Sequence, residues 1–364
     1  MAKQLLGMFL FWIIQAQLSW AKEEVVLTVP VETEVGVAGL RSTGEVWLDL
    51  IQNAKSNIDI EHFYLSDEPG ESLEPVLKAL KDAAKRGVEV RLLLDKKFFA
   101  TYPEPALSLG KLSHFTFKTI DFEKVAGGVQ HAKFMIVDGN RFYVGSANMD
   151  WRALKHIHEV GIAGDSLAVV EKLQSVFTWD WGNSALPVRG QNNGNIKVVA
   201  SPDTQLPAGV SHNLPEILSL LNGANSEIEL SVYELSTKVY GDPTGKWTIL
   251  FDALAQAVAR GVTVNVVMDE SKFKADEKAL ANLRAKGVNL RLVRFPTFSG
   301  GEIPYARVLH SKFLIVDRKR AWVGTDNWSK NYFYNSRGVG LILNDDAIIR
   351  PLQMVFEKLW KVAH

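Results

Sequence analysis

Two kinds of hydrophobic spacing alternate along this chain, and the alternation occurs twice. Leu73, Val76, Leu77, Leu80, Ala83 and Ala84 fall at the three-and-four spacing of one helical face, and Gly87 supplies a stop. Val88–Leu94 follows as a short, β-rich apolar run of the kind that forms a buried strand. Leu250–Gly261 and Val262–Met268 repeat the pair. His131–Val137 reads as a further strand, Asp138-Gly139-Asn140 as a hairpin turn and Arg141–Val144 as its return strand. Closing helices are expected over 165–180 and 346–362. Strands alternating with helices predict an α/β layer structure.

The repetition extends to the residues themselves. Asn53-Ala-Lys-Ser-Asn-Ile-Asp-Ile resembles Asn222-Gly-Ala-Asn-Ser-Glu-Ile-Glu-Leu, and Arg86-Gly-Val-Glu-Val-Arg-Leu-Leu-Leu-Asp95 resembles Arg260-Gly-Val-Thr-Val-Asn-Val-Val-Met-Asp269. Self-similarity on this scale predicts two like α/β/α domains related by a pseudo-twofold. Their expected limits are 22–183 and 196–364. Between them, 184–195 carries Pro187, Gly190, Asn192, Asn193 and Gly194 and reads as a linker.

The repeat also carries chemistry. His131, Lys133, Asp138, Gly145, Ser146 and Asn148 recur, at identical internal spacing, as His310, Lys312, Asp317, Gly324, Thr325 and Asn327. On a strand, His131 and Lys133 share a face, whereas Asp138 has the opposite parity. With Gly139 and Asn140 as a two-residue loop, Lys133 lies opposite Ser146 and His131 opposite Asn148. The same arithmetic places Lys312 opposite Thr325 and His310 opposite Asn327, around a less regular Arg318-Lys319 turn. Each hairpin then presents imidazole, ammonium, hydroxyl and carboxamide as one patch. Two such patches, combined in one site at the interface of the halves, hold the parts needed for phosphoryl transfer. One histidine can attack phosphorus, and the other can protonate the leaving oxygen and then activate water. Lys133, Lys312, Ser146, Thr325, Asn148 and Asn327 can bind the phosphate oxygens. No metal or cofactor is expected, since the lysines take that place. Asp138 and Asp317 are read as structural, anchoring the turn or neighbouring backbone.

Glu159 follows His131 by 28 residues and is placed to orient an imidazole; the same offset from His310 falls on Gly338. Asn335 and Asp326 lie near, neither an obvious substitute. This asymmetry favours His131 as nucleophile and His310 as acid/base. His62 reads as a satisfied core histidine, and His156 and His158 as exposed or packed. Tyr64 and Tyr233 recur at matching places, with core packing the default. The loops after Asp95 and Asp269 mix Lys96, Lys97, Phe98, Phe99 and Tyr102 with Lys272, Phe273 and Lys274. Cations interleaved with aromatics suit base stacking along a single strand or contact with a lipid interface.

Bulk composition narrows the compartment more than the chemistry. The 364 residues are 47% hydrophobic, carry a net charge of +0 and include no cysteine. Thiol chemistry, disulfides and Cys-ligated zinc are excluded, and any nucleic-acid binding must use a local basic patch. Lys3, the apolar run Leu5–Ile14 and Ser19-Trp20-Ala21 read as a cleavable signal peptide over 1–21. Export to a periplasm or exterior is therefore expected, with a retained N-terminal anchor as the minority reading.

Both His-x-Lys-x4-Asp motifs, each followed by Gly-[Ser/Thr]-x-Asn, resemble the signature of the phospholipase D superfamily, over nearly the whole mature chain. Gly145-Ser-Ala-Asn-Met-Asp-Trp-Arg152, Ile303-Pro-Tyr-Ala-Arg-Val308 and Asn327-Trp-Ser-Lys-Asn-Tyr-Phe333 resemble its endolysosomal phospholipase-D-like branch. Asn335 stands where that branch carries a glutamate. The resemblance implies a phosphodiester hydrolase acting through a covalent phosphohistidine. Its substrate would be single-stranded nucleic acid cleaved as an exonuclease or, alternatively, a phospholipid, with transient membrane contact. One chain supplies both motifs, so a monomer suffices.

Overall fold

The computed structural model describes residues 23–182 and 195–364. The expected signal segment and all but the last residue of the expected linker lie outside them.

Each half is built on a mixed sheet. In the first half the strands are β1 (Glu24–Thr28), β2 (Asn57–His62), β3 (Glu89–Asp95), β4 (Phe115–Ile120), β5 (Phe134–Val137), β6 (Arg141–Gly145) and β7 (Glu159–Gly164). They lie in the order β1-β7-β6-β5-β2-β3-β4. In the second half they are β8 (Ile196–Ser201), β9 (Ser211–His212), β10 (Glu227–Val232), β11 (Thr263–Asp269), β12 (Asn289–Val293), β13 (Phe313–Val316), β14 (Arg320–Gly324) and β15 (Gly338–Leu343). Their order is β9-β8-β15-β14-β13-β10-β11-β12, the same plan with β9 added at one edge. Three parallel neighbours (β2-β3-β4, β10-β11-β12) join an antiparallel set that contains each motif hairpin.

The apolar runs read as strands because both faces of each sheet are covered. Successive residues of β5 go to opposite sides. Phe134 and Ile136 join a central cluster shared by both halves, whereas Met135 and Val137 join the outer core of the first half. The outer cores are closed by helices Thr43–Gln52 and Glu74–Lys85 on one side and Asn213–Asn222 and Ile249–Ala259 on the other. The closing helices, Leu167–Asp180 and Asp346–Val362, contribute Val176, Phe177, Val355 and Phe356 to the shared cluster. The halves therefore share one hydrophobic interior.

Both hairpins differ from the expected register by one residue. Phe134 pairs with Val144 and Val137 with Arg141, leaving Asp138, Gly139 and Asn140 as a three-residue loop. Lys133 consequently faces Gly145, whose N–H donates to the Lys133 carbonyl at 3.1 Å. The second hairpin repeats this, with Val316 opposite Arg320. Its turn is as regular as the first. Asp317 and Arg318 take φ of 53° and 54°, against 53° and 63° for Asp138 and Gly139. Nor do the strands reach the histidines: β5 and β13 begin at Phe134 and Phe313, and the His-x-Lys residues lie on the extended lead-ins.

Those lead-ins cross between halves. His131 N–H donates to the Arg337 carbonyl at 2.9 Å, and Arg337 N–H donates to Val129 at 2.9 Å. The pseudo-equivalent bonds run from His310 N–H to His158 at 3.0 Å and from His158 N–H to Val308 at 3.0 Å. Each histidine segment is thus stitched to the strand start of the opposite half. The carboxylates of Asp95 and Asp269 add matching anchors, accepting from Gln130 N–H at 2.8 Å and Leu309 N–H at 2.7 Å.

Candidate active site

The crossed lead-ins bring the two motif patches to one seam. Lys133 and Lys312 are fully buried, and His131, Asn148 and Asn327 nearly so. Each lysine folds back along its lead-in, its Nζ donating to the carbonyl of the histidine two residues before it. That bond holds one ammonium beside each imidazole. Aromatic rings fix the imidazoles sideways. Phe63 and Tyr332 stand edge-on to His131 at 4.9 and 4.8 Å, and Tyr233 stands edge-on to His310 at 5.1 Å. The structural match across the halves is therefore Phe63 with Tyr233, each just past the end of β2 or β10. It is not Tyr64 with Tyr233.

The hydroxyls bind back onto the fold. Ser146 Oγ donates to the Glu159 carboxylate and accepts from Val160 N–H at 3.0 Å. Thr325 Oγ1 accepts from Val339 N–H at 3.0 Å. Asn148 Oδ1, Asn327 Oδ1 and His131 Nδ1 are buried with no hydrogen-bond partner among the described residues. Buried polar atoms of this kind are what a bound polar group would satisfy.

Glu159 crosses the seam. Both its oxygens lie within reach of His310 Nδ1, at 2.9 and 3.0 Å, so the histidine it orients is His310 and not the one in its own half. The sequence argument for His131 as nucleophile depended on the opposite pairing and falls with it. Asp326 is a further buried carboxylate near the lysines. Its side chain accepts from Asn213 Nδ2 and lies 3.3 Å from Ser201 Oγ.

Electrostatics keep this cluster poised. Burial, then the neighbouring Lys312, hold the Lys133 ammonium well below its ordinary pKa. Burial lowers Lys312 to about 7, opposed by Glu159 and Asp326. Burial, with the charges of Lys133, Lys312 and His310, holds the His131 imidazole neutral far below the usual range. Burial also carries His310 down to about 4 despite the Glu159 carboxylate. Glu159 resists its own burial because His310 and Lys312 hold it ionised. An arriving phosphate anion favours the charged form of all four basic groups, which ties protonation to substrate binding.

The motif aspartates face away. Asp138 accepts from the backbone N–H groups of Lys55, Ser56 and Asn57 at 2.9, 2.7 and 3.1 Å. Asp317 does the same for Asn225, Ser226 and Glu227 at 3.0, 2.7 and 3.0 Å. These bonds outweigh burial and hold both carboxyls below the ordinary range. His62 is buried against Trp47 with neither ring nitrogen partnered, so it is not a satisfied core histidine. His156 and His158 are buried, and the His158 ring contacts Ser311 at 3.1 Å.

Aromatic walls flank the seam. On one side Phe63 packs on Phe98 at 4.0 Å, and Tyr64 lies 5.9 Å from Phe98 and 5.6 Å from Tyr102. On the other, Lys272 sits over the Tyr233 ring at 4.5 Å. The loops after β3 and β11 thus bring Phe98, Tyr102 and Lys272 against the rings beside the two histidines. Residues not singled out from the sequence include Phe63, Tyr332 and Arg337. Arg337 is fully buried in an ion pair with Asp180 at 2.6 Å, and its backbone carries the bond to His131. Its only sequence signal was an arginine in a run otherwise headed for the core.

Comparison with known proteins agrees with this geometry. A family model described as "Cardiolipin synthase, PLD-like domain" matches residues 47–181 and again 217–360. Phospholipase D Z of Dictyostelium discoideum is 28% identical over 363 residues, covering 88% of this chain and 85% of that protein. The 5′-3′ exonuclease PLD3 of Homo sapiens is 29% identical over 372 residues, covering 88% of this chain and 75% of that protein. Among solved structures, phosphatidylserine synthase of Haemophilus influenzae Rd KW20 shares the fold with a TM-score of 0.64 at 13% identity, over 88% of this chain and 84% of that one. With two matched domains, each presenting a His-x-Lys lead-in to a common seam, the chain belongs to the phospholipase D superfamily of phosphodiesterases.

Proposed function

We propose that the protein hydrolyses a phosphodiester through a covalent phosphohistidine, and that its substrate is single-stranded nucleic acid. The observation that carries the mechanism is the Glu159–His310 contact across the seam, since it binds the chemistry of one half to the histidine of the other. An imidazole whose Nδ1–H is held by a carboxylate presents a free lone pair at Nε2. In this reading His131 gains a proton as the phosphate anion binds, His310 attacks phosphorus, and the bond to the leaving oxygen breaks as His131 protonates it. His131 then takes a proton from water, whose oxygen attacks phosphorus and displaces His310. Lys133, Lys312, Asn148 and Asn327 balance charge on the non-bridging oxygens, with Ser146 and Thr325 shaping the hairpins that present them. Asp138 and Asp317 have the structural part.

The substrate preference rests on the cluster of Phe63, Tyr64, Phe98 and Tyr102, in which Tyr64 stacks on Phe98, next to exposed Lys96 and Lys97. Such a wall takes base faces without regard to sequence. Phospholipid hydrolysis or head-group exchange is the rival, favoured by the likeness to phospholipase D Z. We further propose that residues 22–183 and 196–364 act as one monomeric unit, exported by means of segment 1–21. No helix among the described residues is long and apolar enough to cross a membrane. A labelled oligonucleotide and a phosphatidylcholine vesicle, offered to one preparation, test the substrate. Oligonucleotide cleavage is expected; turnover of lipid alone would overturn the preference.

A further inference from the structure

We propose that Asp326 is a positioning carboxylate of the site, delivering from the second motif loop the negative charge that Glu159 delivers from β7 in the first half. The inference rests on the two-histidine reading above and adds a residue to it.

The halves superimpose by register. Gly145 pairs with Gly161 on β6 and β7, and Gly324 pairs with Gly340 on β14 and β15. Glu159 therefore corresponds to Gly338, and Ala147 to Asp326. One half has alanine in the loop and glutamate on the strand; the other has aspartate in the loop and glycine on the strand. The two differences compensate in space. A Cβ built on Gly338 would fall 1.7 Å from Asp326 Oδ1, so the aspartate fills the volume that a strand side chain would take.

The surroundings have changed to suit. In the second half Asp326 is held by Asn213 and Ser201, and Asn213 is itself fixed by Trp322 Nε1 at 2.9 Å. At the corresponding places in the first half, Thr28 and Thr43 bond each other at 2.9 Å beside Tyr143, with no carboxylate between them. A carboxamide donor appears where a buried anion needs one.

Asp326 does not reach an imidazole, so its action passes through the lysines. Its charge favours the ammonium forms of both Lys133 and Lys312. Glu159, Glu234 and Asp269 act in the same sense on one or both, while His131, His310 and the mutual repulsion of the lysines oppose it. Burial raises Asp326 to about 7, with Asn213 and Lys133 working against it. Tyr332 and Arg337 also sense its charge. As it ionises near neutrality, Asp326 joins Glu159, Glu234 and Asp269 in offsetting the buried ammonium groups, so its contribution falls on the alkaline side of the profile.

The test uses the full chain and bis(4-nitrophenyl) phosphate, which needs no stacking wall. Asp326→Asn is isosteric, and its alkaline limb of kcat/KM should move to lower pH by about half a unit or more, as a lost anion beside two lysines requires. Asp326→Ala should lower kcat about tenfold or more. Asp326→Ala combined with Gly338→Glu rebuilds the arrangement of the first half and should recover most of that loss, although Gly338→Glu alone collides with Asp326. An unchanged alkaline limb in Asp326→Asn, or a double variant no better than Asp326→Ala, overturns the inference. His131→Ala is assayed alongside: full activity there would bring down the two-histidine reading instead.

Discussion

The Glu159 carboxylate lies 2.9 Å from Nδ1 of His310, a residue 151 positions further along the chain and in the other half of the molecule. Among the described residues no carboxylate holds His131 in this way. One imidazole is oriented by a carboxylate, and the other by the edges of Phe63 and Tyr332. Two near-equivalent motifs are thereby given unequal parts.

Glu159→Gln should leave the fold intact and lower kcat by about 10² or more, with KM changed much less, since the contact serves an imidazole that bears charge during reaction. Steady-state kinetics on the purified variant check this. A loss confined to KM would mean that Glu159 serves binding and not chemistry.

The pH profile follows from the directions of the shifts. His310 stays neutral down to about 4, and Lys312 loses its proton above about 7. The free enzyme therefore carries neutral imidazole and ammonium together in the window between them, and kcat/KM should be highest on the acid side of neutrality. It should fall as pH rises through about 7. The bound phosphate stabilises the cations, so the alkaline limb of kcat should lie at higher pH than that of kcat/KM. Coincident limbs would contradict this coupling.

Asp138→Ala and Asp317→Ala should affect stability and not chemistry. Each removes a carboxylate that accepts three backbone N–H groups from the chain entering β2 or β10. A loss of about 1–3 kcal/mol is expected, the scale of a capping network. Both carboxyls are held below their unfolded values, so the contribution is present above pH 4 or so and disappears as pH falls through the folded values. Denaturant melts at pH 7 and pH 3 measure it, and the difference from the parent should shrink at the lower pH.

Much of this was legible in the chain itself. The helix-strand pairs stand out because both sheet faces are covered, which leaves strands such as Val88–Leu94 rich in apolar residues, with Glu89 and Arg91 as the interruptions. Hairpin register was not legible. Asp138 and Gly139 both take left-handed backbone, and the third loop residue, Asn140, shifts every pairing by one. A reader of the letters sees Gly-Asn and assigns two. The partner of Glu159 was hidden for a different reason. Counting from His131 assumes a contact within one half, whereas the lead-ins cross and bring β7 to His310. Asp326 and Gly338 were each visible as oddities, and only the shared volume shows that they belong together.

The stacking wall separates small from polymeric substrates. Phe98→Ala with Tyr102→Ala should raise KM for a single-stranded oligonucleotide about tenfold or more, as loss of base stacking does, and leave bis(4-nitrophenyl) phosphate turnover near the parent value. Equal effects on both substrates would place those rings in the support of the site and not in binding.

The central claim is that two imidazoles from opposite halves act on one phosphorus atom, with lysines supplying the cationic charge. Its most direct test is kcat/KM for His131→Ala and His310→Ala, measured with EDTA present throughout. The parent should turn over undiminished in chelator, and each variant should fall by roughly 10² or more. Full activity in either variant would contradict the account.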